Sequence, residues 1–172
     1  IFLNDAEKTM QKTWDLFYDK NNKIFQKNSI KENDLFASPM DINDHNIPNG
    51  NSVFLLNCKK LEVITGKGNW KNMSKELIQN FHSFLNLHAP QMVSYIKNLD
   101  MCEELTTFTF FGNVEKYKDL HKYVKNRYLK SSVLIYKDDP KENYLVVCKN
   151  KTCSNKIKDI DNLRSVIKYY AV

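Results

Sequence analysis

Residues 41–52 read DINDHNIPNGNS and set Asp41, Asp44, His45, Asn46, Asn49, Asn51 and Ser52 directly ahead of an apolar run. Helix N-termini carry unpaired N–H groups and the positive end of the helix dipole, so polar side chains there either cap the helix or orient a hydroxyl-rich or anionic ligand. Capping by Ser52 or Asn51 is the ordinary use of such residues. A carboxylate, an imidazole and three amides between Asp44 and Ser52 exceed what one cap needs. The surplus suits small-molecule binding, with Asp44 as a general base or a sugar-hydroxyl acceptor and His45 as its neighbour. The candidate substrate-binding set is therefore Asp44, His45, Asn49, Asn51 and Ser52, with no catalytic residue assigned.

A second constellation lies far downstream, where VVCKNKTC places Cys148 and Cys153 with four residues between them. A Cys-x2-Cys spacing lets a helix N-terminus lower one thiol pKa or turns both sulfurs to one metal, and four intervening residues lack that geometry. A turn at the strand end brings two such sulfurs within reach of a reversible disulfide. Three readings stay open for the pair: structural, redox-sensitive or metal-binding. His82, His88 and His121 stand alone without a second ligand at metal-like spacing, and Cys58 and Cys102 read as small buried apolar residues. No metal and no cofactor is expected.

Composition narrows the classes. A chain of 172 residues builds one core, or one core with a small satellite layer. Its start at Ile1 suggests a piece of a longer protein. No apolar run approaches the roughly 18 residues of a membrane span, and no signal peptide is visible. The net charge of +6 is nearly all lysine, with arginine only at 127 and 164, and it is dispersed, so nucleic-acid binding is disfavoured. Four cysteines do not make a disulfide scaffold, and the triplets Asn72-Met73-Ser74 and Asn150-Lys151-Thr152 matter only in a secreted protein. A cytoplasmic setting fits best.

The elements that position these residues are legible as periodicities. Leu3, Ala6, Met10, Thr13, Trp14 and Phe17 share one face of a helix over 2–18, followed by the turn-rich DKNNK, a short extended IFQ and a polar loop over 26–51. VFLLNCKKLEVI, from Ser52 to a cap at Thr65-Gly66, has one stripe of Val53, Leu56 and Val63 and another of Phe54, Cys58 and Leu61, as a central helix would. A helix from Asn69 to about Leu87 aligns Trp70, Met73, Leu77, Phe81 and Phe84. A third, starting at Ala89-Pro90, is expected to bury Met92 or Val93, Ile96 and Leu99. After Glu104 the pattern turns β-branched and aromatic and reads β-α-β-β-α, with Asp159 or Asp161 capping the last helix. The chain is thus mainly α with a C-terminal α/β piece, divided into residues 1–103 and 104–172.

Two of these motifs occur together in a fixed order. DHNIPNGNSVFLLNCKKLEVITGKGNW, followed downstream by YLVVCKNKTCSNKIKDIDNL, resembles the C-terminal part of the YyaL / spermatogenesis-associated thioredoxin-domain family. The matching residues are Asp44, Pro48, Asn51, Ser52, Thr65, Gly66, Trp70, Tyr144, Cys148 and Cys153, and the resemblance spans essentially the whole chain. Asn49 stands where the family has Ser, Lys156 where it has Pro, and KDDPKEN is a shorter link than usual. The resemblance implies a larger parent with an N-terminal thioredoxin-like domain and an (α/α)6 toroid similar to six-hairpin glycosidases. This chain would supply the last helical hairpins and a small β-α-β-β-α layer. In such toroids the ligand funnel is lined by loops at one end, where NDHNIPNGNS would fall, so a sugar-like small molecule is the implied ligand. The thioredoxin-like domain and the rest of the toroid are the implied partners, with no membrane partner. The rival function is a non-catalytic interaction module, or a thiol-redox-responsive one acting through Cys148 and Cys153.

Overall fold

The computed structural model describes residues 2–31, 39–127, 131–150 and 152–170. It divides into two compact units, residues 1–100 and 101–172.

The first unit opens with α1 (Phe2–Phe17). Only the second half of its apolar stripe is covered: Met10 is buried and Thr13, Trp14 and Phe17 are half-buried, whereas Phe2, Leu3 and Ala6 are exposed. The chain then folds back through a two-stranded ribbon, β1 (Tyr18–Asp19) and β2 (Ile24–Phe25). Asp19 closes its turn by accepting from the N–H groups of Asn21 and Asn22.

Next come α2 (Gly50–Thr65) and α3 (Gly68–Phe81). Gly66 ends α2 at φ 70°, a left-handed conformation that favours glycine, and its N–H caps the Glu62 carbonyl at 2.8 Å. Of the two apolar stripes of α2, Phe54, Cys58 and Leu61 are buried, whereas Val53 and Val63 are exposed. Trp70, Leu77 and Phe81 of α3 are buried in the expected register. The expected helix to Leu87 breaks after Phe81 into a 3-10 turn and the four-residue α4 (Leu85–His88). The core of this unit is largely aromatic: Trp14 stacks on Tyr18 with centroids 3.7 Å apart, and Phe25 packs on Phe54 at 4.6 Å.

A 3-10 turn at Ala89–Gln91 leads into α5 (Val93–Glu103). Of the face expected from the sequence, Met92 is buried and Leu99 half-buried, while Ile96 is corrected. Met92, Tyr95 and Asn98 are buried, while Val93 and Ile96 are exposed. Two contacts set that rotation: Tyr95 meets Phe81 edge-on at 4.8 Å, and Asn98 Nδ2 donates to the Ser52 carbonyl at 3.0 Å. A buried amide with a partner is stable, and one without is costly, so Asn98 fixes the face.

The second unit contains β3 (Thr106–Phe111), α6 (Lys118–Lys125), β4 (Ser132–Lys137), β5 (Tyr144–Lys149), β6 (Thr152–Cys153) and α7 (Ile160–Tyr170). The sheet order is β4-β3-β5-β6, with β4 parallel to β3 and β5 antiparallel to it. Phe108, Phe110, Leu145 and Val147 point to the face covered by Leu120 and Val124 of α6 and Leu163 and Ile167 of α7. The expected β-α-β-β-α order is present, with β6 added as a short edge strand. Asp159 caps α7, its carboxylate accepting from Asn162 N–H at 2.8 Å. The structure thus supports a mainly helical chain with a C-terminal α/β piece. No described helix is long and apolar enough to cross a membrane.

Candidate functional site

Helix α2 begins two residues earlier than the apolar pattern suggests. Asn49 is its N-cap, with extended backbone and its side-chain oxygen accepting from Ser52 N–H at 2.9 Å. Asn51 and Ser52, expected as caps, lie in the first turn with side chains buried. Each has a different task. Asn51 Oδ1 accepts from Phe25 N–H at 2.9 Å and Nδ2 donates to the Asp41 carbonyl at 2.7 Å, tying β2 and the loop to the helix. Ser52 Oγ reaches the Asn49 carbonyl at 2.9 Å and Ser94 Oγ at 2.6 Å.

Asp44 is the hub of this network. Its Oδ1 accepts from Asn49 N–H and Asn49 Nδ2, both at 2.9 Å, and from Ser94 Oγ at 2.5 Å. Its Oδ2 accepts from Ser94 N–H at 2.6 Å, in the first turn of α5. One carboxylate thus ties the starts of two helices, α2 and α5, and neutralises donors that both would otherwise leave unmet. Burial pushes the Asp44 carboxyl up, but the hydrogen bonds from Ser94 and Asn49 outweigh it and hold the group below the usual carboxylate range. A carboxylate so held is a weak base with its acceptor sites engaged, which argues against the general-base role for Asp44. Density of polar residues in this loop therefore reflects three chain segments held at one helix start.

What faces outward is different. A cavity of about 590 Å³ is lined by Lys27 together with Asp41, Asn43 and residues 45–50. Lys27 Nζ lies 3.1 Å from His45 Nε2. An ammonium only donates, so Nε2 accepts and the ring proton sits on Nδ1. Asp41 Oδ2 accepts from Gly50 N–H, and a Cβ at Gly50 would meet that oxygen at 2.7 Å, so glycine permits the contact. Asp41 Oδ1 has no partner among the described residues. Ile47, 74% exposed, and Pro48 supply an apolar patch.

Of the five candidate binding residues, His45 and Asn49 line this cavity, while Asp44, Asn51 and Ser52 form the frame behind it. Lys27, Asn43 and Ser94 were not singled out by the sequence. Lys27 is one lysine among many, and Ser94 is joined to Asp44 across 50 residues. Its only local signal is a serine in the first turn of a helix.

In the second unit Cys148 and Cys153 form a disulfide, as directly paired residues of β5 and β6 with Cα atoms 4.0 Å apart. Asn150, at φ 51°, makes the tight turn between them. Cys58 is buried, and Cys102 only half-buried, less than its apolar setting suggested. His82 is exposed, and His121 bonds the Tyr136 hydroxyl at 2.6 Å. Among the described residues no group of three or more His, Cys, Asp or Glu is placed to hold a metal ion.

Compared with known proteins, the sequence matches no family model, and no curated protein matches it.

Proposed function

We propose that the 41–50 loop forms part of a binding pocket for a carbohydrate-like small molecule. The observation that carries this reading is the cavity of about 590 Å³ beside the α2 start, a volume typical of small-ligand sites. Its chemistry suits a polyol: Asp41 Oδ1 accepts from hydroxyls, Lys27 Nζ and His45 Nδ1 donate to them, and Ile47 and Pro48 lie against the ring. Asp44, Asn51 and Ser52 hold the wall and do not touch the ligand.

On the resemblance stated above, the chain would be the last helical hairpins and α/β layer of an (α/α)6 toroid whose parent carries a thioredoxin-like domain, in a cytoplasmic setting without membrane or nucleic-acid partners. Exposed Phe2, Leu3, Val53 and Val63 would then be covered by the remaining hairpins. A sugar panel screened by thermal shift on the full chain tests the pocket. His45→Ala and Asn46→Trp, both at exposed lining residues, should abolish the ligand-induced shift while leaving the unliganded melting temperature unchanged. Unaltered shifts in both variants would remove this pocket as the binding place.

A second reading, a thiol-redox-responsive module, is favoured by the Cys148–Cys153 disulfide. In a reducing compartment a disulfide is ordinarily transient and redox-sensing.

A further inference from the structure

We propose that the Cys148–Cys153 disulfide is a thiol–disulfide exchange site attacked at Cys153, and that its state controls the groove between residues 153–157 and α7. The inference rests on the thiol-redox reading above and adds which sulfur reacts and what moves.

The bond is placed where it does little for the core. It joins residues five apart on adjacent strands, so the loop it closes is very short, and short loops gain least from cross-linking. The core of this unit, Phe108, Phe110, Leu145, Val147, Leu163 and Ile167 among others, is packed without it. Beyond the disulfide the strand end is held independently: Leu145 and Ile157 exchange both backbone bonds, at 2.9 and 2.8 Å, and Ile157 is buried. Breaking the sulfur bridge therefore loosens residues 152–155, which keep only the short β5–β6 pairing and the Ser154 bonds, and leaves the sheet anchored.

Access separates the two sulfurs. Cys153 is exposed on β6, the edge strand, whereas Cys148 is half-buried on β5 between β3 and β6. Thiolate attack is governed by access to the sulfur as well as by the attacking thiol. An external dithiol attacks Cys153 Sγ, the Cys148–Cys153 bond breaks, and Cys148 leaves as a thiolate that takes a proton. The second thiol of the dithiol then attacks the mixed disulfide and releases Cys153 as a thiol. The protein gains two electrons and two protons, and the dithiol becomes a disulfide.

The segment that this step releases is one wall of a cavity of about 510 Å³, lined by residues 153–157 on one side and by Asn162, Ser165 and Val166 of α7 on the other. That wall is fixed at one end by the disulfide and at the other by Ile157. Between them, Ser154 N–H donates to the Val147 carbonyl at 2.8 Å and Ser154 Oγ accepts from Val147 N–H at 3.1 Å. With the disulfide gone, the Ser154 bonds and the short β5–β6 pairing at Lys149–Thr152 are what hold the middle of the wall.

The test uses the oxidised full chain with glutathione as a monothiol probe, alkylation of the released thiol and peptide mapping. Expected is glutathione on Cys153 and the alkyl label on Cys148. Amide hydrogen exchange of the oxidised and dithiothreitol-reduced chain should show protection at residues 152–155 falling by up to about 40-fold on reduction. Protection at Leu145 and Ile157, whose amides pair with each other beyond the released segment, should be unchanged. Glutathione on Cys148, or equal protection at 152–155 in both states, overturns the inference while leaving a redox-active pair. Failure of any dithiol to reduce the pair in the folded chain overturns the redox reading as well.

Discussion

Replacing Asp44 by alanine removes one acceptor from four hydrogen bonds: Asn49 N–H, Asn49 Nδ2, Ser94 N–H and Ser94 Oγ. The losses are unequal. Ser94 Oγ keeps Ser52 Oγ at 2.6 Å, and Asn49 Nδ2 keeps a longer contact to Ser94 Oγ at 3.4 Å. The two backbone N–H groups lose their acceptor in a half-buried setting, and a bond to a charged group contributes about 1.5–3 kcal/mol. Allowing for partial rehydration from the open side, Asp44→Ala should cost about 3 kcal/mol. Urea unfolding followed by tryptophan fluorescence suits this measurement, because Trp14 and Trp70 both belong to the core of the first unit. With a slope of about 2 kcal/mol/M the midpoint should fall by about 1.5 M. The pH dependence has a definite sign. The Asp44 carboxyl is held below its ordinary value in the folded chain, so its contribution is fully present above the unfolded value of about 3.9 and is lost as pH falls through the folded value. The difference between wild type and Asp44→Ala should therefore be constant from about pH 5 to 8 and shrink in acid. A loss below about 0.5 kcal/mol at neutral pH would refute the view that Asp44 ties the two helix starts together.

Three further outcomes follow from other parts of the chain. Gly112→Ala should destabilise the second unit by about 1–3 kcal/mol, because Gly112 sits at φ 90° and a Cβ there would meet the Glu142 carbonyl at 2.5 Å; circular-dichroism melts check it. Tyr18→Phe should cost about 1 kcal/mol by urea unfolding, since the Tyr18 hydroxyl donates to Glu76 Oε1 at 2.5 Å from a buried ring stacked on Trp14. Reduction, or the pair Cys148→Ser and Cys153→Ser, should cost the second unit at most about 2 kcal/mol, as expected for a six-residue loop, and leave its far-ultraviolet circular dichroism unchanged.

Elements set by local signals were legible in the sequence. Gly66 ends α2 because the left-handed cap favours glycine, Trp70, Leu77 and Phe81 line up by helical period, and the β-branched, aromatic stretch after Glu104 forms β3. The cluster at 41–52 was also legible as a place, but its internal division was not. Whether a polar side chain there supports the fold or faces a ligand depends on partners distant in sequence: Phe25 for Asn51, Ser94 for Asp44 and Ser52. The same applies to α5, whose buried face includes Asn98 instead of Ile96 because the buried Asn98 amide finds its acceptor in the Ser52 carbonyl of α2. Apolar periodicity has no way to register a polar residue that belongs inside. For Cys148 and Cys153 the spacing left three readings open, and the β5–β6 strand register brought the sulfurs together.

The central claim is that the polar loop at the start of α2 is an internal frame carrying a ligand pocket on its outer side. Backbone amide shifts of isotope-labelled full chain, titrated with the sugar that gives the largest thermal shift, test it most directly. Saturable changes confined to Lys27 and residues 41–50, with the amides of the second unit unmoved, are the predicted result. Saturable binding whose shifts map elsewhere, or no shift at Lys27 and residues 41–50 at saturating ligand, would contradict it.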